Sequence, residues 1–118
     1  MPRTITAALI AAGVLLLTAA PADAARHSKS DRSFMKRTVQ PHKAWFERVA
    51  ACESNGQWHI NTGNGFYGGL QFALLSWRAV GGTGYPHQAS KLEQIYRGVK
   101  LLRLQGPGAW PVCSRRAA

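Results

Sequence analysis

The chain has 118 residues, a formal net charge of +10 and two cysteines. This length holds one small domain at most and excludes a large multidomain enzyme. The cysteines have no zinc-ligand spacing and the histidines are scattered, so we expect no metal and no other cofactor. The basic balance indicates a polyanionic neighbour, either nucleic acid or the anionic surface of a cell wall or membrane. The alternative is that the charge serves solubility alone.

The first 24 residues have the pattern of a secretory signal peptide. Arg3 supplies a positive start, residues 7–20 form an uncharged apolar run, and Ala22-Asp23-Ala24 is an A-x-A cleavage site. The run is too short for a membrane span of about 20 residues. We therefore expect cleavage after Ala24 and a secreted protein without stable membrane insertion. A retained N-terminal anchor is the alternative.

The rest of the sequence divides by charge and periodicity. Residues 25–43 are polar, carry a net charge of +5 and lack apolar periodicity, so they are predicted to be a basic disordered leader. Residues 44–114 carry a net charge of +3 and are predicted to form the ordered domain. Residues 115–118 are predicted to be a basic tail.

Three helices are predicted within the ordered segment. Apolar side chains recur at helical spacing over residues 44–55, and a second helix is predicted over 73–80. The third begins at a Ser90–Glu93 capping box, and its apolar face consists of Leu92, Ile95, Tyr96, Val99 and Leu102. Residues 58–72 are expected to form an irregular hairpin-like loop. The fold class is therefore a small α+β domain that is mostly helical.

The two cysteines, Cys52 and Cys113, are predicted to form a disulfide. A small exported domain buries little surface and often needs a covalent link. The cysteines are 61 positions apart, and closing a loop of that size contributes roughly 4 kcal/mol to stability. The bond would bring the C-terminal segment close to Glu53.

Glu53 is the main candidate for a catalytic group. It lies in the last turn of the first predicted helix, where the helix dipole and apolar burial both disfavour a carboxylate anion. A carboxyl group that keeps its proton can protonate the leaving oxygen of a glycosidic bond. The pattern offers no evident second carboxylate, since Asp31, Glu47 and Glu93 lie elsewhere. This favours lytic transglycosylation by a substrate hydroxyl, while hydrolysis and a purely solvent-exposed Glu53 stay open.

Distinctive motifs lie along the ordered segment at Cys52–Ser54, Trp58, 60–72, Ser76–Trp77 and 105–113. Together they resemble the resuscitation-promoting factor family of secreted actinobacterial transglycosylase-like domains, over about residues 44–114. The resemblance implies a lysozyme-like domain that cleaves peptidoglycan glycan strands and promotes the resuscitation and growth of dormant cells. The basic leader and tail are expected to hold the protein at the anionic cell wall.

The resemblance assigns roles to individual residues. Glu53 matches the catalytic acid, Ser76 falls where the family commonly has a substrate-contacting Thr, and Gln105 matches a Gln of the binding cleft. Three further residues are assigned to substrate binding because their motifs lie near the cleft: Tyr67, Gln71 and Trp77. The cysteines match the family's disulfide pair. Where the family has Trp-Asp at the start of the domain, this chain has Phe46-Glu47.

The implied partners are peptidoglycan glycan strands and a peptidoglycan endopeptidase, with no nucleic acid, and the domain is expected to be a monomer. A non-catalytic peptidoglycan-binding or signalling module is the main alternative. A cationic antimicrobial or nucleic-acid-binding protein is the other alternative, and its binding would depend steeply on salt. The modest charge of the ordered segment argues against that last class.

Overall fold

The computed structural model describes residues 27–118, so the predicted signal peptide lies outside the described residues. Two short strands and five α-helices are present in this range: α1 (Lys29–Val39), α2 (Lys43–Ser54), β1 (Phe66–Tyr67), β2 (Phe72–Ala73), α3 (Leu74–Ala79), α4 (Lys91–Gln105) and α5 (Cys113–Ala117). Short 3₁₀ turns occupy Gln40–His42, Pro86–Gln88 and Pro107–Ala109. None of the helices in this range has the length and apolarity needed to cross a membrane. The predicted mostly helical α+β fold is confirmed.

The three predicted helices correspond to α2, α3 and α4. The predicted capping residue of α4 is confirmed, because the backbone N–H of Glu93 donates to Ser90 Oγ at 3.1 Å. The predicted apolar face of α4 is confirmed as well, since Ile95, Tyr96 and Val99 are buried. The hydrophobic period of α4 therefore sets the face that it presents to the core.

Helix α1 contradicts the prediction that residues 25–43 form a disordered leader. Ser28 caps this helix, because Asp31 N–H donates to Ser28 Oγ and Ser28 N–H donates back to Asp31 Oδ2, each at 3.1 Å. Met35 and Val39 lie one turn apart and are buried in the core, and α1 packs on α4. The prediction was wrong because it relied on the mostly polar composition of the segment. Only Met35 and Val39, one turn apart, form the narrow apolar stripe that packs in the core.

The predicted basic tail also belongs to the folded domain. Helix α5 extends through Arg115 and Arg116, which are exposed, to Ala117, which is fully buried. Arg48 Nε donates to the carbonyl oxygen of Ala117 at 2.8 Å and ties α5 to α2. The arginines therefore project from a packed helix instead of a free terminus.

The core lies where α2, α4 and the turn between the strands meet. Gly98 of α4 allows this approach, because a Cβ atom there would lie 2.8 Å from Leu70 Cδ1 and 2.9 Å from Phe46 Cε1. Trp110 packs edge-on against Phe46, with ring centroids 5.4 Å apart, and its indole N–H donates to the Leu70 carbonyl at 2.9 Å. A larger residue at position 98 would separate these elements.

The strands are too short to be stable alone, and a buried amide holds their turn in place. They pair antiparallel, with Phe66 opposite Ala73 and Tyr67 opposite Phe72. Gln94 of α4 is fully buried. Its Oε1 accepts from Gly69 N–H at 2.9 Å, and its Nε2 donates to the carbonyls of Trp58 at 2.8 Å and Ala89 at 3.0 Å. One side chain thus joins α4 to three separate loop positions.

We expect Gln94→Leu to destabilise the domain by about 3 kcal/mol, because it leaves buried backbone groups without partners and each such group costs about 1–3 kcal/mol. Urea unfolding followed by circular dichroism measures this loss. Gln57→Leu is the control, since Gln57 is exposed and its replacement should change the free energy of unfolding by less than about 0.5 kcal/mol. Equal effects of the two substitutions would contradict the anchoring role of Gln94.

Candidate functional site

A groove of ≈ 420 Å³ contains Glu53 and is formed by segments far apart in sequence. Glu53 comes from the end of α2, while Asn64, Phe66 and Gln71 come from the hairpin region. The rest of the lining comes from the segment before and at the start of α5: Ala109, Trp110, Pro111, Val112 and Cys113. Trp110 is nearly buried, whereas Phe66 and Val112 are about half exposed. The groove therefore has an aromatic base and apolar edges around one carboxyl group.

The end of α2 determines where Glu53 lies. The helix ends at Ser54, and Asn55 follows in the left-handed region with φ 55°. Ser54 Oγ is buried within hydrogen-bonding distance of the Gly69 carbonyl at 2.8 Å and of the Ala50 carbonyl at 3.1 Å. Ser54 thereby connects the last turn of α2 to the turn of the hairpin. This contact fixes the position of the neighbouring Glu53 relative to the groove.

Partial burial changes the acidity of Glu53. The side chain is half-buried, and removal of water from around it raises the pKa of the Glu53 carboxyl above its usual range. A raised pKa keeps the proton on the carboxyl to higher pH, as a general acid requires. This rise in the pKa has the direction expected from the sequence, where apolar burial was predicted to disfavour the Glu53 anion.

The other carboxylates of the described chain are held at other places. Asp31 caps α1, and Glu47 accepts from Lys91 Nζ at 2.8 Å. Glu93 is buried, with Oε1 lying 3.3 Å from His27 Nε2 and 3.7 Å from Arg97 Nη2. The lysine hydrogen bond lowers the pKa of Glu47 and holds it ionised. Within residues 27–118, Glu53 is therefore the one carboxylate that lines this groove.

Two amide side chains in the groove are oriented by the hairpin backbone. Gln71 has φ 52°, and its Nε2 donates to the Gly68 carbonyl at 2.9 Å. Asn64 Oδ1 accepts from the backbone N–H of Phe66 at 3.0 Å. These bonds use one end of each amide, so the Gln71 oxygen and the Asn64 nitrogen are free to bind hydroxyl groups of a ligand. Gln71 therefore lies in the groove, and its substrate-binding role stays a prediction.

The disulfide forms as predicted and closes one part of this groove. Cys52 and Cys113 are bonded, with their Cα atoms 5.6 Å apart. Cys52 precedes Glu53 directly, and Cys113 lines the groove itself. The bond therefore holds the 109–113 segment beside the candidate acid.

Trp77 is a core residue, so the prediction that it contacts substrate is wrong. Its side chain has no exposed surface, and its indole N–H donates to the Thr83 carbonyl at 3.2 Å. The ring packs edge-on against Phe72, with centroids 5.1 Å apart. A motif position near a cleft did not distinguish a residue that supports the cleft from one that lines it.

Tyr67, Ser76 and Gln105 are not among the residues that line the Glu53 groove within the described chain. Tyr67 belongs to a separate aromatic cluster, stacked on His87 with ring centroids 5.6 Å apart. Ser76 is half-buried on α3, and Gln105 is exposed at the end of α4. Their substrate-binding roles stay predictions.

The sequence did not identify several lining residues, namely Phe66, Trp110, Pro111 and Val112. Two signals could have found them. The predicted disulfide places the residues before Cys113 next to Glu53, and Phe66 directly follows the Asn64-Gly65 dipeptide.

In residues 27–118, no cluster of three or more His, Cys, Asp or Glu side chains could hold a metal ion.

Comparison with known proteins gives one family match and several relatives. The model of the family described as transglycosylase-like domain matches residues 39–113. Resuscitation-promoting factor Rpf of Micrococcus luteus is 69% identical over 71 residues, which cover 60% of this chain and 32% of that protein. RpfE of Mycobacterium tuberculosis is 55% identical over 71 residues, with coverages of 60% and 41%. Rpf1 of Corynebacterium glutamicum is 48% identical over 80 residues, with coverages of 65% and 41%.

The chain thus spans between about a third and less than half of the length of these relatives. The matched region contains Glu53, both cysteines and all the residues that line the groove.

Replacing both cysteines, as Cys52→Ala with Cys113→Ala, should lower the free energy of unfolding by about 4 kcal/mol, because the unfolded chain regains the entropy of the open loop. Thermal and urea unfolding measure the loss. The oxidised parent protein, compared with the same protein under a reductant, is the matched control and should show a loss of the same size. An unchanged urea midpoint in the double variant would contradict a stabilising role for the bond.

The raised pKa of Glu53 has a consequence for stability with a definite sign. The folded protein holds this proton more tightly than the unfolded chain, so the contribution of Glu53 to stability is lost as pH rises through the folded-state pKa. Glu53→Gln should therefore match the parent melting temperature below about pH 4 and exceed it at neutral pH. Glu47→Gln is the control with the opposite sign, because the pKa of Glu47 is lowered.

Thermal unfolding across this pH range measures both effects, and carboxyl NMR follows the titration of Glu53 directly. A Glu53 pKa at or below about 4.3, the ordinary glutamate value, would contradict the effect of burial.

Proposed function

The chain belongs to the family of transglycosylase-like domains, and from this premise we propose that it is a secreted enzyme that cleaves the glycan strands of peptidoglycan with Glu53 as general acid. The relatives support the resuscitation-promoting factor family, and the mostly helical fold is the lysozyme-like fold of this domain class. The observation that carries the proposal is the half-buried position of Glu53 in a groove lined by amides and aromatic rings. Burial raises the pKa of the Glu53 carboxyl.

The proposed reaction begins with proton transfer from Glu53 to the glycosidic oxygen. The bond between that oxygen and the anomeric carbon then breaks, and the leaving sugar departs with a new hydroxyl group. The positive charge that develops on the anomeric carbon needs a nucleophile. The Glu53 carboxylate left behind can accept a proton from that nucleophile, so one residue serves both steps.

The arrangement of carboxylates favours an internal nucleophile. Retaining glycosidases place a second carboxylate about 5 Å from the acid, and inverting enzymes place one roughly 6.5–9.5 Å away to activate water. Within the described chain, Glu53 is the one carboxylate of the groove, and Glu47 is paired with Lys91. Attack by a hydroxyl of the muramic acid residue itself needs no second carboxylate. We therefore propose lytic transglycosylation, which forms an anhydro sugar, over hydrolysis.

The groove offers contacts suited to a sugar chain. Gln71 and Asn64 have amide ends available for hydroxyl groups, and their other ends are fixed by backbone hydrogen bonds. Phe66 and Val112 present exposed apolar surface at the edge of the groove, against which the apolar faces of sugar rings can pack. Because the amides are held before a ligand arrives, binding costs less side-chain entropy.

The biological role that we propose follows from the relatives. Each of those compared is named a resuscitation-promoting factor. We propose that this chain likewise remodels the cell wall and promotes the resuscitation and growth of dormant cells. Secretion, cell-wall association, a monomeric state and an endopeptidase partner belong to the same proposal.

Digestion of purified peptidoglycan by the disulfide-bonded protein should release muropeptides that end in anhydromuramic acid. Such products are lighter by one water than the products of hydrolysis, so mass spectrometry distinguishes them. Glu53→Gln keeps the size of the side chain and removes the proton donor, and it should lower the rate at least about 100-fold. Glu47→Gln is the matched control and should retain activity within a few-fold.

Each outcome has a separate meaning. Products with a reducing end would show that the reaction is hydrolysis and not transglycosylation. The mechanism would then require a base that activates the attacking water. Full activity of Glu53→Gln would exclude Glu53 as the acid. Intact binding of the wall by both proteins without release of products would favour the non-catalytic binding module instead.

A further inference from the structure

A second groove, of ≈ 380 Å³, lies between α1 and α4 and contains none of the residues of the Glu53 groove. Its apolar lining consists of Val39, Leu92 and Ile95, of which Val39 and Ile95 are nearly buried and Leu92 is partly exposed. Three lysines line it as well: Lys36, Lys43 and Lys91. We refer to this feature as the lysine groove. An apolar surface edged by ammonium groups fits a ligand that carries both carboxylates and apolar side chains.

The charges of the lysine groove are incompletely neutralised. Glu47 Oε1 lies 2.8 Å from Lys91 Nζ and 3.6 Å from Lys43 Nζ, so one carboxylate faces two lysines. Lys36 is exposed on the last turn of α1. Lys43 and Lys91 keep 52% and 43% of their side-chain surfaces accessible. The local balance of three lysines and one glutamate therefore leaves positive charge for an anionic ligand.

Part of this groove lies outside the matched domain. The family match begins at residue 39, whereas Lys36 lies on α1 before that point. Helix α1 is also the element that supplies Val39 to the apolar surface. The lysine groove is therefore built jointly by the transglycosylase-like domain and a helix that precedes most of it.

We propose that the lysine groove binds the acidic stem peptide of peptidoglycan. A stem peptide alternates methyl-bearing alanines with residues that carry free carboxylates, which matches an apolar surface edged by lysines. Gln40 adds a side-chain amide at the same groove, suited to a peptide bond. A phosphodiester polymer would match the lysines but would leave the apolar surface unused. The identification of the peptide's source rests on the proposed function, since both ligands would then belong to one wall polymer.

Titration of the ¹⁵N-labelled disulfide-bonded protein with a synthetic stem tetrapeptide, L-alanyl-γ-D-glutamyl-meso-diaminopimelyl-D-alanine, tests the proposal. Saturable amide shifts should map to α1 and α4. Lys36→Glu should raise the dissociation constant about fivefold, because it reverses one exposed charge contact. Arg37→Glu is the matched control. Arg37 is also a basic residue of the last turn of α1 but does not line the groove, so its reversal should change the constant less than about twofold.

The same titration with Glu53→Gln separates this inference from the proposed function. Unchanged peptide binding by that variant supports the lysine groove even if the protein proves unable to cleave glycan. Equal weakening by Lys36→Glu and Arg37→Glu would reduce the effect to overall charge and overturn the proposal. Absence of saturable shifts at millimolar peptide would overturn it as well. If the protein binds phosphatidylglycerol vesicles through Lys36 but does not bind the peptide, a membrane surface replaces the stem peptide as the ligand.

Discussion

The bond between Cys52 and Cys113 is the constraint on which the Glu53 groove depends. It joins the end of α2 to the start of α5 across 61 positions of sequence, and it does so at the residue next to Glu53. The segment from Ala109 to Cys113 lines the groove directly. Without this link, only non-covalent packing would hold that segment against α2. A domain this small has little further apolar surface with which to replace the bond.

The acidity of Glu53 follows from its position in this groove. The carboxyl is half-buried in the groove, and burial alone raises its pKa. The contrast with Glu47 on the same helix is informative. Glu47 is bonded to Lys91, which lowers its pKa, whereas burial raises the pKa of Glu53. The two carboxyls of α2 thus shift in opposite directions, because one is bonded to a lysine and the other is partly buried.

Local sequence signals predicted the parts of the fold that local physics determines. The α4 helix followed from a capping residue and an apolar period, and the disulfide followed from two cysteines in a chain predicted to be exported. Tertiary packing decided the rest. Helix α1 depends on the packing of Met35 and Val39 in the core that it shares with α4. Trp77 lies in the core and donates to the Thr83 carbonyl, a contact that no spacing rule identifies.

The candidate site was predictable in the same partial way. Glu53 and Gln71 came from motifs in one stretch of chain, whereas Trp110, Pro111 and Val112 lie in the segment that the disulfide holds beside Glu53. Gln94 shows the limit most clearly. As a polar residue on an amphipathic helix it would be expected at the surface, yet its three hydrogen bonds are satisfied only inside the folded domain.

A continuous set of contacts connects the two grooves through the hairpin. Lys91 of the lysine groove lies over the Trp58 ring, 5.3 Å from its centroid. That ring packs on Gly69, where a Cβ atom would overlap it. The Gly69 carbonyl lies 2.8 Å from the buried hydroxyl of Ser54, the neighbour of Glu53. Each link is a packed or hydrogen-bonded contact, so the set relates the position of one groove to the position of the other. A stem peptide in the lysine groove and a glycan strand in the Glu53 groove would therefore bind two surfaces whose relative position these contacts set.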